Sequence, residues 1–182
     1  MNSLLFWRAK ALEWMADLGL LGARLWVAQE FLFAGITKLS GGLHAPDWFA
    51  ALHFPLVVSW LPIDANWVVA GVGEITFGTA LALGLCSRFA SIALMFITYV
   101  AVYTVHFDLG WAGWNQIETD AGQGFKVPLM LAVMLLVTLT QGAGRYSVDR
   151  LIDQHVPRWL SRHWPQAAQQ WATKPDNQPM LS

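Results

Sequence analysis

Four long stretches with almost no charged residues dominate this chain of 182 residues. A helix needs roughly 20 mostly apolar residues to cross a bilayer, and the four stretches supply spans at residues 18–38, 66–86, 89–107 and 125–142. A soluble bundle would instead show polar helix faces at a period of 3.6 residues, which the third and fourth stretches lack. The sequence therefore predicts an all-α polytopic membrane protein with a four-transmembrane-helix bundle.

The composition supports the same class of protein. Apolar residues make up 55% of the chain and charged residues 13%, whereas soluble domains carry about 25% charged residues. The net charge of −1 provides no general attraction to nucleic acid, so we expect no nucleic-acid partner. The single cysteine, Cys86, excludes an internal disulfide, a haem-attachment motif and an iron–sulfur set.

The positively charged residues predict an orientation in the membrane. Eight of the 11 Lys and Arg residues lie before the first span, between the second and third spans, or after the fourth span. The other two connections contain acidic residues and no interior Lys or Arg. The positive-inside rule then predicts a multi-pass protein of the bacterial inner membrane with both termini in the cytoplasm, and with residues 40–65 and 108–124 facing outward.

We expect three segments along the chain. Residues 1–17 form an amphipathic N-terminal segment, and they lack the features of a cleavable signal peptide. Residues 18–142 form the four-helix membrane domain. Residues 143–182 form a basic cytoplasmic tail, which begins with an amphipathic helix lying on the lipid headgroups and is divided near Pro157.

Several ionisable side chains lie at membrane depth, where each one costs several kcal/mol without a partner, water or a function. Glu30 lies eight residues inside Lys38, and Glu74 lies eight residues inside Asn66. Both carboxylates therefore lie about 12 Å from the outer ends of their spans. The full set of ionisable candidates is Arg24, Glu30, Lys38, Glu74, His106 and Lys126.

The helical faces predict how these groups meet. Gly71, Glu74 and Gly78 share a small-residue face of the second span, which a neighbouring helix can approach closely. The third span has one face with Tyr99, Tyr103 and His106, and the fourth has one with Lys126, Met130 and Val133. With these faces turned inward, we expect a polar pocket that opens to the periplasmic side and has Tyr99 and the methionines at its floor.

Two interpretations of this pocket remain open. In the first, Glu74, Arg24, Glu30 and His106 are catalytic or proton-handling candidates, and Tyr99, Tyr103, Lys38 and Lys126 hold a small redox molecule such as a quinone headgroup. In the second, Glu30 or Glu74 neutralises one of the cations and the set fixes the register of the helices.

A metal site is not predicted, because no H-x-x-x-H, H-x-H, C-x-x-C or M-x-x-M spacing is present. Copper accepts imidazole and thioether ligands, so His106, His53 and Met130 are the residues that a copper-handling alternative would use.

Three motifs resemble the DoxX family of small four-helix membrane proteins. They are Arg24 with the segment FLFAGITKL ending near Lys38, Glu74 followed by LALGLCSR, and QGAGRYSVD after the last span. The resemblance covers roughly residues 18–150. It implies a membrane subunit or accessory factor of a redox or detoxification system, since the family includes a membrane subunit of thiosulfate:quinone oxidoreductase and members found beside copper-binding peptide maturation genes.

The absence of paired cysteines argues against a thiol–disulfide relay run by this subunit alone, and thiosulfate oxidation is not carried over to it. We expect the lipid bilayer and a redox protein as partners, and homo-oligomerisation stays open. If the chain serves an enzyme, it does so as an oxidoreductase-associated subunit rather than as a stand-alone enzyme. The alternative is a non-catalytic scaffold or a protein that handles a small solute or ion.

Overall fold

The computed structural model describes residues 2–155, which are mainly α-helical, as predicted. The elements are α1 (Asn2–Ser40), α2 (Asp47–Ala50), α3 (Ile63–Leu83), α4 (Ser87–Thr104), a 3₁₀ helix (Gly110–Asn115), strands β1 (Glu118–Thr119) and β2 (Gly122–Gln123), α5 (Lys126–Gln141) and α6 (Val148–His155). The two strands pair in an antiparallel hairpin.

Among the described residues, α3 and α4 are each long and apolar enough to cross a membrane, and α5 is an apolar helix of 16 residues. Helix α1 is one continuous helix of 39 residues, so the predicted N-terminal segment and first span belong to the same element. The chain divides into two units after Arg150. The second unit is described only from Leu151 to His155, and the predicted break at Pro157 lies outside the described residues.

The turn between α3 and α4 differs from the predicted one. Gly84 adopts a left-handed conformation with φ of +71°, and the N–H groups of Gly84 and Leu85 donate to the carbonyls of Leu81 and Ala80. This pattern ends a helix as a Schellman motif, which favours glycine. Both helices therefore lie about three residues earlier than predicted, and Ser87, expected in the turn, begins α4.

The four long helices pack against one another in sequence order. Helix α1 contacts α3 and α5, and α4 also contacts α3 and α5. Their shared core contains Val27, Ala28, Phe31, Leu81, Ala90, Leu94 and Leu135. The stripe of α1 that ends at Lys38 faces this interior, since Arg24, Phe31 and Gly35 are buried.

Helices α1 and α3 approach most closely at two glycines. A methyl group on Gly35 would lie 2.7 Å from the carbonyl oxygen of Gly71, and one on Gly71 would lie 2.9 Å from the side chain of Leu39. Gly78 packs against Leu32 and the backbone of Ala28. The prediction that this face of α3 receives a neighbouring helix is confirmed, and the neighbour is α1.

We expect Gly35→Val to weaken the α1–α3 contact, because its side chain would overlap the backbone of Gly71. Overpacking of this kind costs about 1–3 kcal/mol, which would appear as a lower melting temperature of the purified protein in detergent. Gly41→Val is the matched control, since an added Cβ there meets only the carbonyl oxygen of Lys38, at an ordinary distance of 3.5 Å. Equal melting temperatures for the two variants would contradict the proposed contact.

Candidate functional site

An ion pair joins α1 to α3 beside their glycine contact. The Nζ atom of Lys38 donates to both carboxylate oxygens of Glu74, at 2.8 Å each. The Glu74 side chain is 7% exposed and that of Lys38 is 23% exposed. Of the combinations proposed from the sequence to neutralise charge at membrane depth, the structure forms this one. An ammonium group has three N–H donors, so one donor of Lys38 remains after both bonds to Glu74.

A cavity of about 410 Å³ lies beside this ion pair. Its walls come from α1, α3, α4 and the loop before α3, and they are mostly apolar, with Phe77, Phe96 and Val100 among them. Polar side chains enter it at few places, namely Lys38, Asn66, Glu74, Thr104 and His106. The cavity is therefore far less polar than the pocket predicted from the sequence.

The loop between α1 and α3 supplies an aromatic wall that sequence reasoning missed. Phe49 is buried and packs against Trp67, with ring centroids 4.9 Å apart, and against Phe54 at 5.1 Å. Trp48, Phe49 and Phe54 line the cavity. The Nδ2 atom of Asn66 donates to the carbonyl of Val58 at 3.1 Å and holds the loop over α3. The many aromatic residues in the connection between α1 and α3 could have indicated this wall, because a loop that faces water rarely carries so many.

His106 borders the cavity just beyond the end of α4. Its Nδ1 atom is buried and has no hydrogen-bond partner among the described residues. Burial lowers the pKa of the imidazole, and the nearby Asp108 carboxylate offsets part of this effect. Burial therefore favours the neutral ring, in which one nitrogen donates a hydrogen bond and the other accepts one.

The other predicted members of the pocket lie elsewhere. Tyr99 and Tyr103 are 51% and 52% exposed on the outer face of α4, and Met130 is 57% exposed on α5. Neither the tyrosines nor Met130 nor Lys126 lines the cavity, so the expected tyrosine and methionine floor is wrong. The face of α4 that turns inward carries Leu94 together with the smaller residues Ala90, Ser91 and Thr98.

Arg24 occupies a separate site at the opposite end of α3. It is 1% exposed, and its guanidinium donates to the carbonyl oxygens of Ala143 and Tyr146 and, at 3.5 Å, to that of Ala82. The Asp149 carboxylate beside it accepts hydrogen bonds from the N–H groups that begin α4. This geometry favours the structural interpretation of Arg24, which joins α1 and α3 to the segment after α5.

Glu30 and the copper candidates do not join the Lys38–Glu74 pair. Glu30 lies on the exposed face of α1. His53 is exposed and, like Met130, does not line the cavity with His106. Within residues 2–155, no three His, Cys, Asp or Glu side chains are grouped so that they could hold a metal ion.

Known proteins resemble this chain over the region that contains the ion pair and the cavity. A family model described as DoxX matches residues 19–107, a range that contains Arg24, Lys38, Glu74 and His106. A protein of Haemophilus influenzae described as an uncharacterized protein is 36% identical over 149 residues, which cover 80% of this chain and 91% of the relative. No solved structure gives a significant match.

We expect single replacements of the ion pair to destabilise the protein more than the double replacement. Lys38→Met or Glu74→Met alone leaves a charged partner without its hydrogen bonds, which costs about 1–3 kcal/mol. The double variant Lys38→Met/Glu74→Met removes both charges and should recover most of that loss. Denaturation of the four proteins in one detergent, analysed as a double-mutant cycle, measures the coupling. Additive losses would show that the pair contributes no coupling energy.

Proposed function

The chain belongs to the DoxX family, and from this membership we propose that it is a multi-pass protein of the bacterial inner membrane whose helices α1, α3, α4 and α5 form a four-helix transmembrane bundle. The lengths of α3 and α4, 21 and 18 residues, support two spans. Helix α1 extends for about 58 Å at 1.5 Å per residue, which exceeds the bilayer core of about 30 Å. Helix α5 is the shortest, and local thinning of the bilayer accommodates such a helix at modest cost.

The charges at the two ends support an orientation with both termini in the cytoplasm. Arg88 at the α3–α4 turn and Arg145 after α5 lie at one end, where Arg145 pairs with Asp17 at 3.1 Å. The other end carries Asp64 in the first turn of α3 and Asp108 in the connection after α4. Their carboxylates accept hydrogen bonds from the N–H groups of Ala45 and Gln123. The basic end faces the cytoplasm under the positive-inside rule, so the cavity and its ion pair face the periplasmic side.

Within this protein, the cavity binds a small lipophilic molecule with a polar head, and a quinone is the ligand class that we favour. The observation that carries this proposal is the Lys38–Glu74 ion pair at the wall of an otherwise apolar cavity. A volume of about 410 Å³ lies in the usual range for ligand pockets, and few polar groups in an apolar pocket are typical of sites that orient a ligand. The buried, unpaired Nδ1 atom of His106 is a second polar group that a ligand could satisfy.

The residues have distinct tasks in this proposal. Phe49, Phe77 and Phe96 provide apolar contact for a ring, and Lys38 donates its remaining N–H to a carbonyl oxygen of the ligand. Glu74 balances the charge of Lys38, so that the ammonium stays ionised in an apolar setting. His106 offers the ligand a second polar contact through its buried Nδ1 atom, which has no partner among the described residues. A quinone, when bound, supplies the capacity to take up two electrons and two protons.

We propose that the protein acts as the membrane subunit or accessory factor of a redox or detoxification system and presents this ligand to a partner. The mostly apolar cavity and the lone cysteine, Cys86, support a binding role rather than electron transfer by the chain itself. The alternative is a scaffold or solute-handling protein, for which the cavity would bind no quinone. Copper handling has the weaker basis, because the residues that it would need are not brought together in the described part of the chain.

Fusions at the two ends test the membrane proposal. We expect green fluorescent protein fused after Ser182 to fluoresce, and alkaline phosphatase inserted at Gly41 to be active, because the first folds in the cytoplasm and the second in the periplasm. Extraction of the membranes with carbonate should leave the untagged protein in the pellet. Release by carbonate, or the reverse pattern of reporter activities, would contradict the proposed topology.

Binding of a ubiquinone analogue with a ten-carbon tail to the protein in nanodiscs tests the ligand proposal. We expect Lys38→Met/Glu74→Met to bind at least about tenfold more weakly, since a hydrogen bond to a charged group contributes about 1.5–3 kcal/mol. Ala93→Phe should abolish binding by filling the cavity that Ala93 lines. Scintillation proximity with the tritiated analogue gives the dissociation constants.

Thr79→Phe is the matched control, because it also replaces a small side chain with a phenyl ring, but at a position outside the cavity. Thr79 lies on the exposed face of α3 and does not line the cavity, so this variant should bind like the wild type. Equal affinities for wild type, Thr79→Phe and Ala93→Phe would mean that the analogue dissolves in the lipid, and the ligand proposal would then be wrong.

A further inference from the structure

One side of α1 has no neighbour among the described helices. We name this surface the α1 outer stripe. It lies opposite the buried stripe of Arg24 and Phe31, and its side chains are exposed or half-buried. Trp26 and Phe33 are 58% and 67% exposed there. Six residues make up the α1 outer stripe, namely Gly19, Gly22, Trp26, Gln29, Glu30 and Phe33.

The α1 outer stripe carries three polar groups at membrane depth. Glu30 is eight residues inside Lys38, and Gln29 and Trp26 follow within the next turn toward the N-terminus. None of these three side chains has a hydrogen bond or ion pair with any residue that the structure describes. The stripe therefore combines a hydrogen-bond acceptor, the carboxyl of Glu30, with two donors, the amide of Gln29 and the indole of Trp26. These groups have no partner within the described part of the single chain.

Exposing these polar groups to lipid costs free energy, given the transmembrane placement of α1 proposed above. Glu30 lies about 12 Å below the outer end of its span, which is too deep for a short side chain to reach the headgroups. A carboxyl group facing hydrocarbon costs several kcal/mol, and lipid tails offer no hydrogen-bond donor. The polar groups of the stripe need a protein partner.

The pattern of the stripe indicates which partner it fits. A second copy, related by a two-fold axis along the membrane normal, carries the same groups at the same depth. Its Gln29 and Trp26 donors then face the carboxyl of Glu30, and the reciprocal bonds form across the axis. Gly19 and Gly22 have open space beyond their Cα atoms, so the two helices can approach closely.

We propose that the protein forms a parallel dimer through the α1 outer stripe, in which Glu30 of each copy accepts hydrogen bonds from Gln29 and Trp26 of the other. The interface lies on the face of α1 opposite the Lys38–Glu74 pair. Dimerisation therefore leaves both cavities intact.

Cysteine cross-linking in native membranes tests this contact. Phe33→Cys, in a Cys86→Ser background, places a thiol in the stripe. Val72→Cys places one on the exposed face of α3, where Val72 is 47% exposed, at a comparable depth. We expect copper phenanthroline to give a disulfide-linked dimer with Phe33→Cys and monomer with Val72→Cys.

The role of Glu30 is tested by photobleaching step counts of labelled protein in liposomes. Glu30→Gln keeps an acceptor and should dimerise like the wild type. Glu30→Leu should associate roughly sixtyfold more weakly, because four interhelical hydrogen bonds of average strength, two to each Glu30, are lost.

Monomers in the wild type, equal cross-linking at both cysteines, or a cross-link from Phe33→Cys to a different protein would each overturn the dimer. A monomer that stays in the membrane fraction and still binds the quinone analogue overturns this inference alone. Release of the wild type by carbonate overturns the membrane proposal instead, and the dimer with it.

Discussion

The contact between α1 and α3 is the constraint on which the candidate site depends. Two glycines let the helix backbones approach until a methyl group at Gly35 would touch the carbonyl oxygen of Gly71. One turn further along α1, the same closeness brings Lys38 within 2.8 Å of both carboxylate oxygens of Glu74. Opposite charges that leave water together lose much hydration, and they recover it only with good geometry. The glycines provide that geometry, so the ion pair depends on the close packing of α1 against α3.

The buried ionic groups lie at two ends of the helices and have different roles there. At one end, Lys38 and Glu74 stand at the wall of an apolar cavity and keep a hydrogen-bond donor available. At the other end, Arg24 uses its planar guanidinium to gather carbonyl oxygens from α3 and from the segment after α5. A guanidinium suits that task because its donors diverge in one plane. One charged group therefore lies at the proposed ligand site, while the other joins α1 and α3 to the segment after α5.

The sequence was sufficient to predict the helices and the inward face of α3, but not the inward faces of α4 and α5. Long apolar runs locate α3, α4 and α5, and the small residues around Glu74 identified the face of α3 that meets α1. The interior placement of Tyr99 was wrong because, for a helix in the proposed lipid environment, polarity does not separate inside from outside as it does in water. The carbonyl partners of Arg24 were equally hidden, since they come from backbone more than 100 residues away in the chain. The aromatic wall from Phe49 and Phe54 required the loop to fold back, which no local pattern specifies.

The cap of α4 has a consequence for how the chain is made. The N–H groups of Cys86 and Ser87 are satisfied by the carboxylate of Asp149, which follows them by 63 and 62 residues. A ribosome builds the chain from its N-terminus, so α3 and α4 are synthesised before Asp149 exists. The hairpin must tolerate an unfinished turn during translation, and it acquires its final hydrogen bonds only when the segment after α5 has been completed.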